Sequence, residues 1–247
     1  MRRSLGMVLA TLFVGLGLSA RAGDDKAARA VLDKGIQALG GADKLGKAKA
    51  MTWKTKGKVS FMGTDNEFTG TVTVQGLDHL HQELDGEFGG NKVKILMIMA
   101  GNKGWRGFNG DNQPLDDETL ATQKRGIYLQ VVPAMLVPLT QKGFKIESIP
   151  DDKAGAGIKV TAPDGKDFKL YFDKQSGLPV KLVATVAGFM GGEFLQETTY
   201  ANYKDFGGIK KATKIVSKRD GEKFQEMEVT DFKVLDKVES DTLSEPK

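Results

Sequence analysis

The amino-acid sequence predicts an α+β fold that is mostly β: one large antiparallel sheet, curled into an open half-barrel, with an N-terminal helix and a mid-chain helical lid. Three observations lead there. Period-two alternation of apolar and polar residues recurs from Trp53 to Val234. The turns between these runs are too short for parallel crossovers, so neighbouring runs pair antiparallel. Only two stretches, near 24–39 and 116–139, carry helical spacing instead. Twelve or so strands in one meander accumulate twist, so the sheet has to curl. Its concave face then needs a cover, and the two helical stretches are the apolar elements left to supply one.

The chain opens with a secretory signal peptide over residues 1–22. Arg2 and Arg3 form a positive start, Leu5 to Leu18 is apolar apart from glycines and Thr11, and Ala20-Arg21-Ala22 gives a small-x-small cleavage pattern. That apolar run is short against the ~20 residues a helix needs to cross a bilayer, so cleavage after Ala22 is expected. Residues 23–247 then form a single domain, with no linker dividing it.

Of the elements that follow, the first is a helix capped by Asp24 and Asp25, with Val31, Leu32, Ile36 and Leu39 on one stripe before Gly40 and Gly41 stop it. After a turn around Leu45, Trp53, Thr55, Gly57, Val59 and Phe61 alternate with lysines and a serine, and Phe68, Val72 and Val74 repeat the pattern beyond a turn at Gly63 to Asn66. A third run covers Gly76 to Leu84. The fourth, Lys92 to Ala100, is apolar on both faces across Ile95 to Met99, which predicts a central strand covered on both sides. A short strand carries Trp105 and Phe108. Asp116 to Leu139 reads as a helix, broken near Pro133 and Pro138 because proline lacks the amide hydrogen. Seven further runs, from Phe144 to Val234, are punctuated by Asp164-Gly165, Ser176-Gly177, Gly207-Gly208 and Asp220-Gly221.

Charge and composition narrow the function classes. Removing Arg2, Arg3 and Arg21 from 36 basic residues leaves 33 against 32 acidic ones, so the mature chain is nearly neutral. The remaining lysines are spread singly along strands, without the clustered stripe that nucleic acid requires. The chain has no cysteine, which excludes disulfides, thiolate metal sites, a cysteine nucleophile and a lipid-modified N-terminal cysteine. No Gly-x-Ser-x-Gly elbow and no phosphate-binding glycine loop occurs. No enzyme activity and no cofactor are expected.

Several phrases resemble the LolA-like superfamily of periplasmic lipoprotein carriers and lipid-binding half-barrels, in particular its divergent outer-membrane-lipoprotein-sorting-like members. They are Ala38-Leu39-Gly40-Gly41-Ala42-Asp43-Lys44-Leu45, the glycine turn before Gly104-Trp105-Arg106, Tyr171-Phe172-Asp173 with Ser176-Gly177-Leu178-Pro179-Val180, Tyr200 to Tyr203 with Gly207-Gly208-Ile209, and the closing Val234 to Pro246. The resemblance implies an open half-barrel whose lid covers an apolar cavity for acyl chains, working in the periplasm or as a secreted protein. It implies as partner a lipid or an acylated protein, with a membrane surface or an envelope protein as further possibilities, and a monomer.

Candidate residues follow from position. Trp53, Trp105, Phe108 and Tyr128 lie on the sheet or the lid and could line such a cavity; Phe61 and Val131 share those elements. Met97, Met99, Met135 and Met190, like Met62, are flexible side chains suited to adaptable apolar surfaces. Packing of a filled core would use the same residues. Phe189 and Met190 form the apolar centre of a hairpin-like connection, Val186 to Gly192, able to touch a membrane, a partner or an acyl chain, or to fold back as a plug. His79, His81 and Glu83 share one face of a strand at roughly 6.6 Å spacing, a metal-ligand row in outline and otherwise a solvated edge. The expected function is binding of a lipid or lipoprotein acyl chain beneath the lid, as carrier or sensor. The rival expectation is a non-enzymatic interaction module of the cell envelope with a fully packed core.

Overall fold

A computed structural model of the chain describes residues 26–246 apart from Met62, Phe189 and Met190, and it leaves out the side chain of Phe61. The expected signal peptide, the caps at Asp24 and Asp25, and the site roles given to Phe61, Phe189 and Met190 therefore lie outside the described residues. Among the described residues there are three α-helices: α1 (Lys26–Leu39), α2 (Ala42–Lys47) and α3 (Asp117–Met135). The strands are β1 (Ala50–Phe61), β2 (Thr64–Gln75), β3 (His79–Phe88), β4 (Asn91–Ala100), β5 (Lys103–Phe108), β6 (Asp111–Pro114), β7 (Lys145–Asp152), β8 (Gly155–Thr161), β9 (Asp167–Phe172), β10 (Pro179–Ala187), β11 (Glu193–Phe206), β12 (Ile209–Arg219) and β13 (Glu222–Leu235).

All thirteen belong to one curled, unclosed sheet in the order β6-β5-β4-β3-β2-β1-β13-β12-β11-β10-β9-β8-β7. The order explains the lid. β1 pairs antiparallel with β13, Trp53 opposite Phe232, so the first and last strands meet in mid-sheet. The first meander runs outward to β6, and the second starts at the far edge with β7. Whatever joins β6 to β7 has to span the mouth of the curl, and the joining segment contains α3.

Sequence positions fix how α3 rests there. Asp116 caps its first turn, accepting a hydrogen bond from the Thr119 amide at 2.7 Å, and that bond holds the Asp116 carboxyl below its ordinary range. On the first meander, Gly104 leaves room for Leu115 and Leu120; a Cβ there would stand 2.7 Å from Leu115 Cδ1. On the second, the Arg125 guanidinium donates to the carbonyls of Lys166 (3.3 Å) and Asp167 (2.6 Å), pairs with Asp164 at 3.7 Å and lies over the Phe168 ring. Desolvation lowers the Arg125 pKa, with Asp164 opposing it. The lid is thus fastened to both halves of the sheet.

α1 closes one end. Leu32 and Leu39 are fully buried and Ile36 nearly so, each contributing about 1.5–3 kcal/mol by burial. Gly35 sits where a Cβ would come within 2.8 Å of both Leu136 Cδ1 and Phe172 Cε1, so this helix approaches the core only because residue 35 has no side chain.

Four details differ from the periodicity reading. The lid helix runs through Pro133 to Met135; Pro133 falls in its last turn, and the stop comes at buried Leu136, whose φ of 58° is left-handed, before a 3-10 turn at Val137–Thr140. β4 is third from the edge, not central. Its outer face is nonetheless covered: the C-terminal segment, with the Val238 amide bonded to Gln75 and a 3-10 turn at Ser240–Leu243, lies across β3 and β4. That cover explains why Ile98 is apolar and 3% exposed. The residues around Leu45 form the short helix α2, and the tetrapeptide β6 makes the thirteenth strand.

Candidate ligand-binding cleft

Between α3 and the concave face of the sheet lies a cleft of about 1160 Å³. Alternation places its walls: in each strand every second side chain faces the lid. The first meander contributes a mainly apolar wall of Trp53, Phe68, Val72, Leu84, Ile95 and Met97, with Thr55, Gln82 and Glu83 among them, and α3 adds Leu129, Pro133 and Ala134. Gly126, also on α3, faces the cleft with nothing within 4 Å of where its Cβ would stand.

The opposite wall, from β10 to β13, is mixed. Leu182, Val186, Ile215 and Met227 are interrupted by a line of hydrogen-bonded polar groups. Thr198 and Ser217 hydroxyls meet at 3.0 Å, Gln196 Nε2 donates to Thr198 at 3.3 Å, and Arg219 Nε donates to Gln196 Oε1 at 3.0 Å. Arg219 is held between Phe224 and Phe194, 3.5 and 5.5 Å from their centroids. Tyr200 and Tyr203 sit deeper, and burial raises both phenols well above their ordinary 10.0; Tyr203 donates to the Pro179 carbonyl at 2.6 Å.

At the floor stands Lys211. Only 5% of it is exposed. Its ammonium lies 4.5 Å from the Trp53 centroid and 5.7 Å from that of Phe232, and among the described residues no carboxylate or hydrogen-bond acceptor pairs with it. Burial lowers its pKa to about 8. The rim carries Glu118, Asp164 and Glu193 beside Arg106 and Lys210, so net charge at the mouth is mixed.

The structure distributes the sequence-derived candidates among several environments. Trp53 and Met97 line the cleft. Met99, Val131 and Met135 are 4% exposed or less and belong to the packed core outside the lining. Tyr128 packs edge-on against Phe144 at 5.8 Å, beside the core. Trp105 pairs with Ile98 and alternates with Gly104 and Arg106, which face the lid, so it points to the convex side. Phe108 is 55% exposed at the sheet margin. Ala187, Gly188, Gly191 and Gly192, the neighbours of Phe189 and Met190, border the cleft mouth.

His79, His81 and Glu83 do not converge. His79 Nδ1 turns to Asp78 at 2.7 Å while His81 Nε2 lies 3.6 Å from Glu83. Among the described residues no group of three or more His, Asp or Glu side chains is arranged to hold a metal ion.

Lys211 itself was missed by the sequence reading. The signal was present: it shares strand parity with Ile209, Ile215 and Ser217 and is buried, whereas Lys210, Lys214 and Lys218, at the alternate positions, are exposed.

No protein-family profile and no curated protein matches the sequence. Solved structures do match the fold. The LolA superfamily protein of Nitrosomonas europaea superposes with a TM-score of 0.55 at 11% identity, over 88% of this chain and 97% of that one. The chain has the LolA-type fold. A DUF1329 family protein of Desulfovibrio piger is similar as well, with a TM-score of 0.54 and 9% identity over 90% of this chain and 98% of that one. Both likenesses run over nearly the full length of the matched chains. No helix among the described residues is long and apolar enough to cross a membrane.

Proposed function

We propose that this protein is an exported carrier or sensor that binds the acyl chain of a lipid or lipoprotein in the cleft beneath α3, performing no chemistry on it. The observation that carries the reading is the cleft itself. At about 1160 Å³ it exceeds the roughly 300–1,000 Å³ of ordinary small-molecule sites, and one wall, from Trp53 to Met97, is largely apolar, interrupted by Thr55, Gln82 and Glu83. Burial of an alkyl chain there is favourable at ~0.8 kcal/mol per methylene. The LolA-type fold, the signal-peptide pattern of residues 1–22 and the sequence phrases that resemble those of the periplasmic carriers support the same reading.

Movement of α3, which lies over the cleft, would widen the way in for a ligand. Its fastening at Arg125 is made of few bonds, and Gly126 beside it weakens the helix by about 1 kcal/mol relative to alanine. The rival reading, an interaction module with a filled core, has less support, since the space under the lid is not filled by side chains. Native mass spectrometry after mild purification from the exported fraction tests the proposal. Co-purified acyl species, released on unfolding, are expected. A protein that emerges empty and fails to take up added fatty acid or lysophospholipid would refute it.

A further inference from the structure

We propose that Lys211 is the anchor for an anionic head group, so that the cleft selects acyl chains ending in a carboxylate or a phosphate over neutral ones. This deepens the carrier reading and rests on it.

The inference begins with the three cations that reach furthest into the cleft. Arg125 is committed to the Lys166 and Asp167 carbonyls and to Asp164. Arg219 is committed to Gln196 and lies between two phenyl rings. Lys211 differs from both. It is 5% exposed, lines the cleft, and has only the faces of Trp53 and Phe232 for company.

A buried ammonium is ordinarily paired, because desolvating a charge without a partner is costly. Two aromatic faces offset part of that cost, but they leave all three N–H donors without an acceptor among the described residues. An anionic oxygen entering from the cleft would complete the set, with charge-assisted hydrogen bonds of about twice the strength of neutral ones.

The rest of the cleft suits the same ligand. β12 presents Lys211 and Arg219 on one face, eight residues apart at ~3.3 Å each, roughly 26 Å along the strand. An acyl chain whose head sits on Lys211 at the floor can extend along the apolar wall toward the mouth near Arg219. The rim carboxylates Glu118, Asp164 and Glu193 form no ion pair with Lys211 and so do not compete for it.

The test uses the mature protein and four probes of equal chain length: laurate, dodecyl phosphate, dodecanol and dodecyltrimethylammonium. Calorimetry or Trp53 fluorescence gives each affinity for wild type, Lys211→Met and Lys211→Gln. Wild type should bind laurate or dodecyl phosphate at least ~10-fold more tightly than dodecanol, the worth of a charge-assisted bond, and bind the cation most weakly. In both variants the ratio of anion to dodecanol affinity should fall to near one. Dependence on Lys211 for only one anion would assign the head as carboxylate or as phosphate. If wild type binds all four probes alike, or the variants keep the anion preference, the Lys211 assignment is overturned while acyl binding stands. Failure of wild type to bind any probe overturns acyl binding and the anchor with it. The wild-type comparison decides even if a variant does not fold.

Discussion

Replacing Lys211 with methionine should make the protein more stable near neutral pH. The side chain keeps its length and apolar contacts but loses a charge that burial disfavours. Burial moves the Lys211 pKa from an ordinary 10.5 to about 8, which corresponds to roughly 3 kcal/mol acting against folding wherever both states are protonated. The aromatic faces of Trp53 and Phe232 return about 0.5–2 kcal/mol of it. The net gain expected for Lys211→Met is therefore about 1–3 kcal/mol at pH 7.

The pH dependence follows with a fixed sign. Below about pH 8 the lysine is charged in both states and the penalty is fully felt. Between about 8 and 10.5 the folded lysine is neutral while the unfolded one still takes up a proton, so wild-type stability rises with pH. By pH 9.5 most of the difference from the variant that is due to the charge, up to about 2 kcal/mol, should have disappeared. Urea unfolding of both proteins at about pH 7 and pH 9.5 measures this directly, and comparing the two proteins cancels the other lysines. A variant less stable than wild type at pH 7, with an unchanging difference at pH 9.5, would refute the reasoning.

Other perturbations read separate parts of the structure. Gly35→Ala should destabilise by about 1–3 kcal/mol in a thermal melt, because its Cβ would overlap Leu136 and Phe172. Gly126→Ala should do the reverse, adding about 0.5–1 kcal/mol, since open space surrounds that position. Arg125→Ala removes the bonds that tie α3 to the β8–β9 connection; a cost of roughly 2–4 kcal/mol and faster amide exchange confined to α3 are expected. Glu226, bonded to Lys223 and Lys214 at 2.7 and 3.0 Å, is pulled to about 2. NMR titration should find its midpoint well below the ordinary glutamate value of 4.5.

Much of the fold could be read from period alone. Alternation located nearly every strand because one face of this sheet is wet and the other covered, and helical spacing located α1 and α3. The order of strands could not be read, since β1 pairing with β13 depends on contacts that no local pattern encodes. Misreadings cluster where a second layer intervenes. β4 is apolar on both faces because the C-terminal segment covers it, which mimics a central strand. Pro133 lets the helix continue only two residues further, to Met135, before Leu136 turns left-handed. At the cleft, residue type was a poor guide and parity a better one. Trp105 and Met99 belong to the same strand pair, yet one points outward and the other is sealed in the core. Lys211 was visible as the lysine on the apolar parity of β12, and it was overlooked because lysines were counted as a surface population.

Acyl binding beneath the lid is tested most directly by asking which tryptophan a bound chain touches. The protein has two, Trp53 in the cleft wall and Trp105 on the convex face, so Trp105→Phe and Trp53→Phe each leave a single reporter. Titration with a fatty acid brominated along its chain, a contact quencher, should quench Trp53 saturably at one equivalent and leave Trp105 bright. Quenching of Trp105 alone, or of neither, would contradict acyl binding in the cleft.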